Sequence, residues 1–334
     1  MFFESRLFGF IIGLILSFVM APATWGQERG KRNRPDSSGV TIALEGTVRV
    51  SGAWALYPMM VRWAEEFKKV YPKVRVDVSA GGAGKGVADA LVGLVNVGMV
   101  SREMTQEEVR QGAFYVPVAK DAVFPMMSDQ NPIFDKGLSQ KGITKKIFID
   151  LWIKGRDMTW GEIVGSDPRY KVHVYTRSDS CGAAETWAQY LGKKKQEDLQ
   201  GIGVYGDPGL AEAVRKDPLG IGYNNLNYAF DFKTGLPPKG LRVAPVDLNE
   251  NGKVDPEENL DIKVKAIQAI ATGVYPSPPA RDLYLVTKNS FKGLTREFVR
   301  WILTDGQRYV DETGYIPFTK TQVNATLKKL DGNP

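Results

Sequence analysis

One cysteine and one histidine in 334 residues is a sparse supply, and each shortage excludes chemistry. A single Cys permits no internal disulfide, so the folded chain depends on its core for stability. A single His leaves Cys181 with one conceivable imidazole partner, His173. Nucleophilic catalysis needs that base at hydrogen-bond distance. Residues 173 to 178 span roughly 16 Å when extended, and the strand-like "KVHVYT" carries His173 away from the turn that holds Cys181. A helix start and the nearby Arg177 would favour a thiolate, but without a base the chain is not expected to be an enzyme.

Long apolar runs are also scarce. The stretch from Leu7 to Met20 is the longest, and it is too short for a comfortable bilayer span. Arg6 precedes it, and Ala21-Pro22-Ala23 or Thr24-Trp25-Gly26 follows, so residues 1–26 read as a signal peptide cleaved near 23 or 26. The protein is therefore expected to be periplasmic or otherwise exported; an uncleaved anchor is the alternative. No Cys stands near the cleavage site, which excludes a lipid anchor on that residue. Much of the net charge of +6 comes from "QERGKRNR" (27–34) and the rest from scattered lysines, with no block of Lys/Arg interleaved with aromatics, so no nucleic-acid partner is expected. Residues 27–40 read as a disordered basic tether.

What is present is strand–helix alternation, the mark of an α/β sheet. "GTVRVSG" (46–52), "VRVDVSA" (74–80) and "VNVGMVS" (95–101) read as strands. Leu56, Met59, Met60, Trp63, Phe67 and Val70 fall at helical spacing. Thr105 and Glu108 form a capping box, and Thr144 caps a second helix. A strand over 282–288 and a helix over 296–310 complete the pattern.

Three strand-to-helix junctions, at 52–55, 82–86 and 180–183, offer backbone amides. "GGAGKG" (81–86) is not a phosphate loop of the G-K-[ST] type, because Gly86 follows Lys85. Nor is it a dinucleotide fingerprint, because Val87 stands where the third glycine belongs. In "RSDSCGAAETW", Ser180 can cap the helix while Cys181, Gly182 and Ala183 present amides and Arg177 supplies a forked positive charge. That combination suits an oxyanion.

Over residues 46 to 318 the chain resembles the periplasmic phosphate-binding proteins, the solute receptors of phosphate ABC transporters. The carrying segments are "SGAWALYPMMVRWAEEF", "GGAGKG…VGMVSRE", "RSDSCGAAETW", "DPLGIGYNN", "YPSPPARDLYLVTK" and "GQRYVDETGYIPF". The resemblance implies a two-lobed type 2 periplasmic-binding-protein fold, lobe two inserted in lobe one, with hinge crossings near 118 and 272. Lobe one would hold 41–118 and 272–334, and lobe two 119–271. The implied ligand is phosphate or a related oxyanion, held by Ala53, Trp54, Ala55, Ala83, Gly84, Ser101, Arg102, Arg177, Cys181, Gly182 and Ala183. The implied partner is an ABC permease, and the protein is expected to be a monomer. Four positions depart from the family's pattern: Cys181 and Ala183 replace the Ser and Thr of R-x-x-x-S-G-T, Ala83 a serine, and Trp54 a threonine. Arg102 stands where many members carry a proton-accepting carboxylate. A protein with a degenerate pocket and a non-transport, calcium-stabilised interaction role is the alternative.

"DLNENGKVDPEE" (247–258) has the spacing of an EF-hand calcium loop. Side-chain oxygens of Asp247, Asn249, Asn251, Asp255 and Glu258 and the carbonyl of Lys253 would ligate a structural Ca²⁺, with Gly252 at the sharp turn.

Overall fold

A computed structural model describes residues 44–166 and 169–332. The signal peptide expected over 1–26 and the tether over 27–40 lie outside the described residues. The chain is α/β. Its strands are β1 (Gly46–Gly52), β2 (Val74–Ala80), β3 (Val97–Val100), β4 (Ala113–Ser128), β5 (Ile143–Thr144), β6 (His173–Arg177), β7 (Ile202–Val204), β8 (Gly220–Asn225), β9 (Leu241–Val243), β10 (Val246–Asp247) and β11 (Ala280–Lys288). One sheet runs β2-β1-β3-β11-β4-β8-β6-β7, with β9 also paired to β4, and β10 pairs with β5 apart from it. Neighbours β1–β2, β1–β3, β6–β7 and β6–β8 are parallel. β11 and β4 are antiparallel to each other and to their outer neighbours.

Two separate hydrophobic cores form. One gathers Val48 to Ala119 and Leu283 to Leu330, and the other Ala122 to Ala280. Among the described residues, only β4 and β11 carry sheet pairing from one core to the other: Val116, Val118 and Ala119 of β4 lie in the first core and Ala122 to Met127 in the second. Tyr275 and Ala280, placed in lobe one by the sequence, pack in the second core. The crossover points are thus 119–122 and 280–283, where Asp121 and Arg281 face each other in register and form an ion pair of 2.9 Å.

Local sequence explains the elements that frame the cleft. In β1 the alternation buries Val48 and Val50. The helix Tyr57–Val70 takes Pro58 in its first turn, where no amide bond is lost, and buries Met59, Met60, Trp63 and Phe67. Each such side chain contributes about 1.5–3 kcal/mol of burial. Val70, the last residue of the apolar stripe, is exposed. The helix expected over 296–310 is broken: Gly293–Leu303 ends at Thr304, and Asp305–Gln307 and Arg308–Glu312 follow as separate turns. The break lets the Gly306 carbonyl accept a 2.9 Å bond from the Trp63 indole, locking the last third of the chain onto the first helix.

Candidate functional site

The three amide-bearing junctions come together between the two cores. Gly82 has φ of 90°, a left-handed conformation that suits glycine, and a Cβ there would collide with the Ser180 carbonyl. A Cβ on Gly182 would collide with the hydroxyl and carbonyl of Ser101. The glycine turn of the first lobe therefore touches the 180–182 loop of the second, and the cleft is closed. Ala53, Ala55 and Ala83 are buried beside the turn, and Gly84 approaches the Ser180 hydroxyl. Ala183 is buried in the first turn of the helix Gly182–Tyr190.

Several expected donors already have partners. The Ala53 amide donates to the Met99 carbonyl at 2.9 Å, and the Cys181 amide to the Gln196 side chain at 2.8 Å. Cys181, not Ser180, is the N-cap residue, and its side chain makes no cap bond. The amides of Gly182 and Ala183 follow it in the first turn, where helix geometry supplies no acceptor.

Arg177, fully buried at the end of β6, carries the charge, but two carboxylates share it. Its Nε and one terminal nitrogen donate to Asp179 at 2.8 and 2.6 Å. The other terminal nitrogen pairs with Asp207. Burial opposes the guanidinium charge, yet Cys181, Asp207 and Asp179 outweigh it and raise its pKa above the ordinary arginine value. Asn225 donates to the second oxygen of Asp207, and Asn224 to its carbonyl at 2.9 Å. Asp179 and Asp207 carried no role in the sequence reading. Asp179 lies within the quoted motif; Asp207, thirty residues beyond Arg177, gave no local signal.

The thiolate expectation is overturned. Cys181 is 6% exposed, and burial pushes its thiol up to about 11 against the pull of Arg177. Desolvation of a thiolate outweighs one nearby cation already neutralised by Asp207 and Asp179. His173 is elsewhere engaged, 2.7 Å from Asp217, so the two residues do not pair.

Arg102 does not reach towards Arg177. It is bidentate to Glu108 at 2.9 and 2.7 Å, and the same Glu108 completes the Thr105 capping box. The expected extra charge at the anion position is thus spent on a carboxylate. Trp54 lies against Gly206, with its ring edge-on to Tyr205 at 6.4 Å. Its indole nitrogen is buried without a partner. Leaving such a donor unpaired costs about 1–3 kcal/mol.

In the 247–258 loop, Asp247 and Glu258 are buried. Asp247 accepts the amides of Asn251 and Gly252 at 3.1 and 2.8 Å, and Glu258 those of Leu248 and Asn249 at 2.9 and 3.1 Å. The side-chain amides of Asn249 and Asn251 both meet one oxygen of Asp255, at 2.9 and 2.6 Å, while Lys253 pairs with the other at 2.6 Å. Among the described residues, no three His, Cys, Asp or Glu side chains gather into a metal-holding group.

A family model described as a PBP superfamily domain matches residues 23–306. Phosphate-binding protein PstS of Bacillus subtilis is 28% identical, over 93% of this chain and 94% of its own length. Protein SphX of Synechococcus elongatus is 25% identical over 87% and 83%. A phosphate ABC transporter substrate-binding protein of Clostridium perfringens, solved with bound phosphate, aligns at TM-score 0.66 and 22% identity, over 82% of this chain and all of that one. A phosphate transport receptor of Vibrio cholerae aligns at TM-score 0.58 and 18% identity, over 80% and 99%.

Proposed function

Because the chain belongs to the PBP superfamily, we propose that it is an exported solute-binding protein that captures phosphate for an ABC permease. The observation that carries this reading is the convergence of a buried arginine, a helix start and a glycine turn from opposite lobes on one point. Full-length similarity to phosphate-binding relatives supports it. Arg177 supplies charge, and the Gly182 and Ala183 amides supply fixed donors. The buried Trp54 indole nitrogen stands in for the threonine hydroxyl that this sequence lacks at the first junction. Binding opens and recloses the lobes, and Asp207 gives up part of its hold on Arg177. No bond is made or broken, so no catalytic residue is assigned.

One observation favours a second reading. Asp179 and Asp207 already satisfy Arg177, as a pocket without a transported ligand would require. The 247–258 loop then fits a calcium-stabilised interaction protein. Under either reading we assign that loop a structural Ca²⁺, because its positions three and five, Asn249 and Asn251, both meet position nine, Asp255.

Isothermal titration with inorganic phosphate and sulfate separates the readings. Phosphate is expected to bind more tightly than about 100 μM, roughly 5.5 kcal/mol. Cys181→Ser, which restores a hydroxyl at the helix start, is expected to tighten it about tenfold, the worth of one hydrogen bond to a charged group. Phosphate binding weaker than that limit in both proteins rejects the transport reading.

A further inference from the structure

Asp207 lies in the first turn of the helix Gly206–Lys216 and faces the arginine on which the anion site is built. A guanidinium has five N–H donors. Three of those on Arg177 are taken by carboxylates, two by Asp179 and one by Asp207. From Asp207 the bonding runs on to the hinge. Asn225 donates to its other oxygen and accepts from Arg281, which also pairs with Asp121 at 2.9 Å.

Charge along this network does not balance. Two guanidinium groups, Arg177 and Arg281, meet three carboxylates, Asp121, Asp179 and Asp207. The side chains of Arg177, Asp121 and Asp207 are 0% exposed, and those of Arg281 and Asp179 only 7% and 8%. Cys181 and Tyr228 also stand near Asp207, and burial raises the pKa of each, which keeps both neutral. One negative charge is thus in excess, away from water, before any ligand arrives. A phosphate dianion at Arg177 adds like charge beside Asp207 where screening is weak. Burial already pushes the Asp207 carboxyl above the usual carboxylate range, against Arg177 first, then Asn225 and Arg281. The helix start also favours the ionised form. An anion that shares Arg177 withdraws part of that support and adds repulsion of its own.

We propose that Asp207 takes up the balancing proton: capture of phosphate at Arg177 draws one proton from solvent onto the Asp207 carboxyl, whose O–H then donates to the bound anion. One O–H bond forms at Asp207, and no bond of the anion changes. When ionised, Asp207 competes with the ligand for Arg177. When protonated, it supplies a hydroxyl donor that neither Cys181 nor Ala183 offers. The proposal rests on the reading that an oxyanion binds at Arg177.

The test is isothermal titration of the full chain with inorganic phosphate near pH 8.5, where phosphate is already a dianion, in two buffers of different ionisation enthalpy. The difference in heat is expected to give about one proton taken up per anion, and Kd should rise about tenfold per pH unit. In Asp207→Asn, which keeps the shape and removes the charge, uptake is expected to vanish. Its phosphate Kd should be flat with pH and tighter by about tenfold near pH 8.5. The two-buffer measurement needs no variant, so it decides the matter even where Asp207→Asn fails to fold. Phosphate binding without proton uptake in the unmodified protein overturns the proposal and leaves the anion site standing. So does uptake that persists in Asp207→Asn, which would place the proton on the phosphate. Binding by Asp207→Asn alone supports the proposal. Absence of phosphate binding in both proteins, at pH 6 as at pH 8.5, removes the anion site and this role of Asp207 with it.

Discussion

Asp150 gathers three cations around one buried carboxylate: Lys154 and Arg156 at 2.8 Å and Lys146 at 3.3 Å. Lys154 first, with Arg156 and Lys146, holds its pKa down at about 2 against the opposing effect of burial. The folded pKa lies below the unfolded carboxylate value, so the stabilisation is fully present above about pH 4 and lost as pH falls through about 2. Asp150→Asn is therefore expected to lower the melting temperature at pH 7, and the gap to the unmodified protein should narrow towards pH 2. A gap constant with pH, read by calorimetry, would mean that packing rather than charge sets the effect. Cys181 shows the opposite balance, with desolvation beating a neighbouring cation. Sequence spacing revealed the cation beside Cys181 but not the burial, nor the carboxylates that had already claimed Arg177.

At the scale of elements, the 247–258 loop stands out as a pattern because its proposed ligand positions sit within twelve consecutive residues. Its internal bonding does not: Lys253, counted only for its carbonyl, puts its ammonium on Asp255. Calcium would have to displace that ion pair, which predicts both a rise in melting temperature with added Ca²⁺ and a larger rise in Lys253→Ala. Equal melting curves with Ca²⁺ and with chelator would remove the cation from the loop. Strands β1 and β2 and the Thr105 capping box were readable from alternation and spacing for the same reason, locality. The break at Thr304–Gly306 was not, because the partner of the carbonyl it frees is Trp63, 243 residues away in sequence.

For the whole molecule, the two-lobed arrangement was implied by the resemblance to the phosphate-binding proteins, whereas the state of the cleft was not. Contact between Gly182 and Ser101, or Gly82 and Ser180, depends on how two lobes meet, which no local pattern encodes. Gly182→Ala is expected to prop the lobes apart without touching either core. Small-angle scattering should then give a larger radius of gyration than for the unmodified protein, and phosphate should not restore it. An unchanged radius would show that the 101 and 182 segments can yield.

The route of β4 and β11 between the cores also sets an order of assembly. The second core is built from one uninterrupted stretch, Ala122 to Ala280, while the first needs both Val48 and Leu330. A chain emerging from its N-terminus can complete the inserted lobe while the lobe that hosts it still lacks its last fifty or so residues. Until β11 arrives beside β3, the strands β1 to β3 form an open sheet edge in need of a partner. Whatever delays folding until the chain is whole protects that edge.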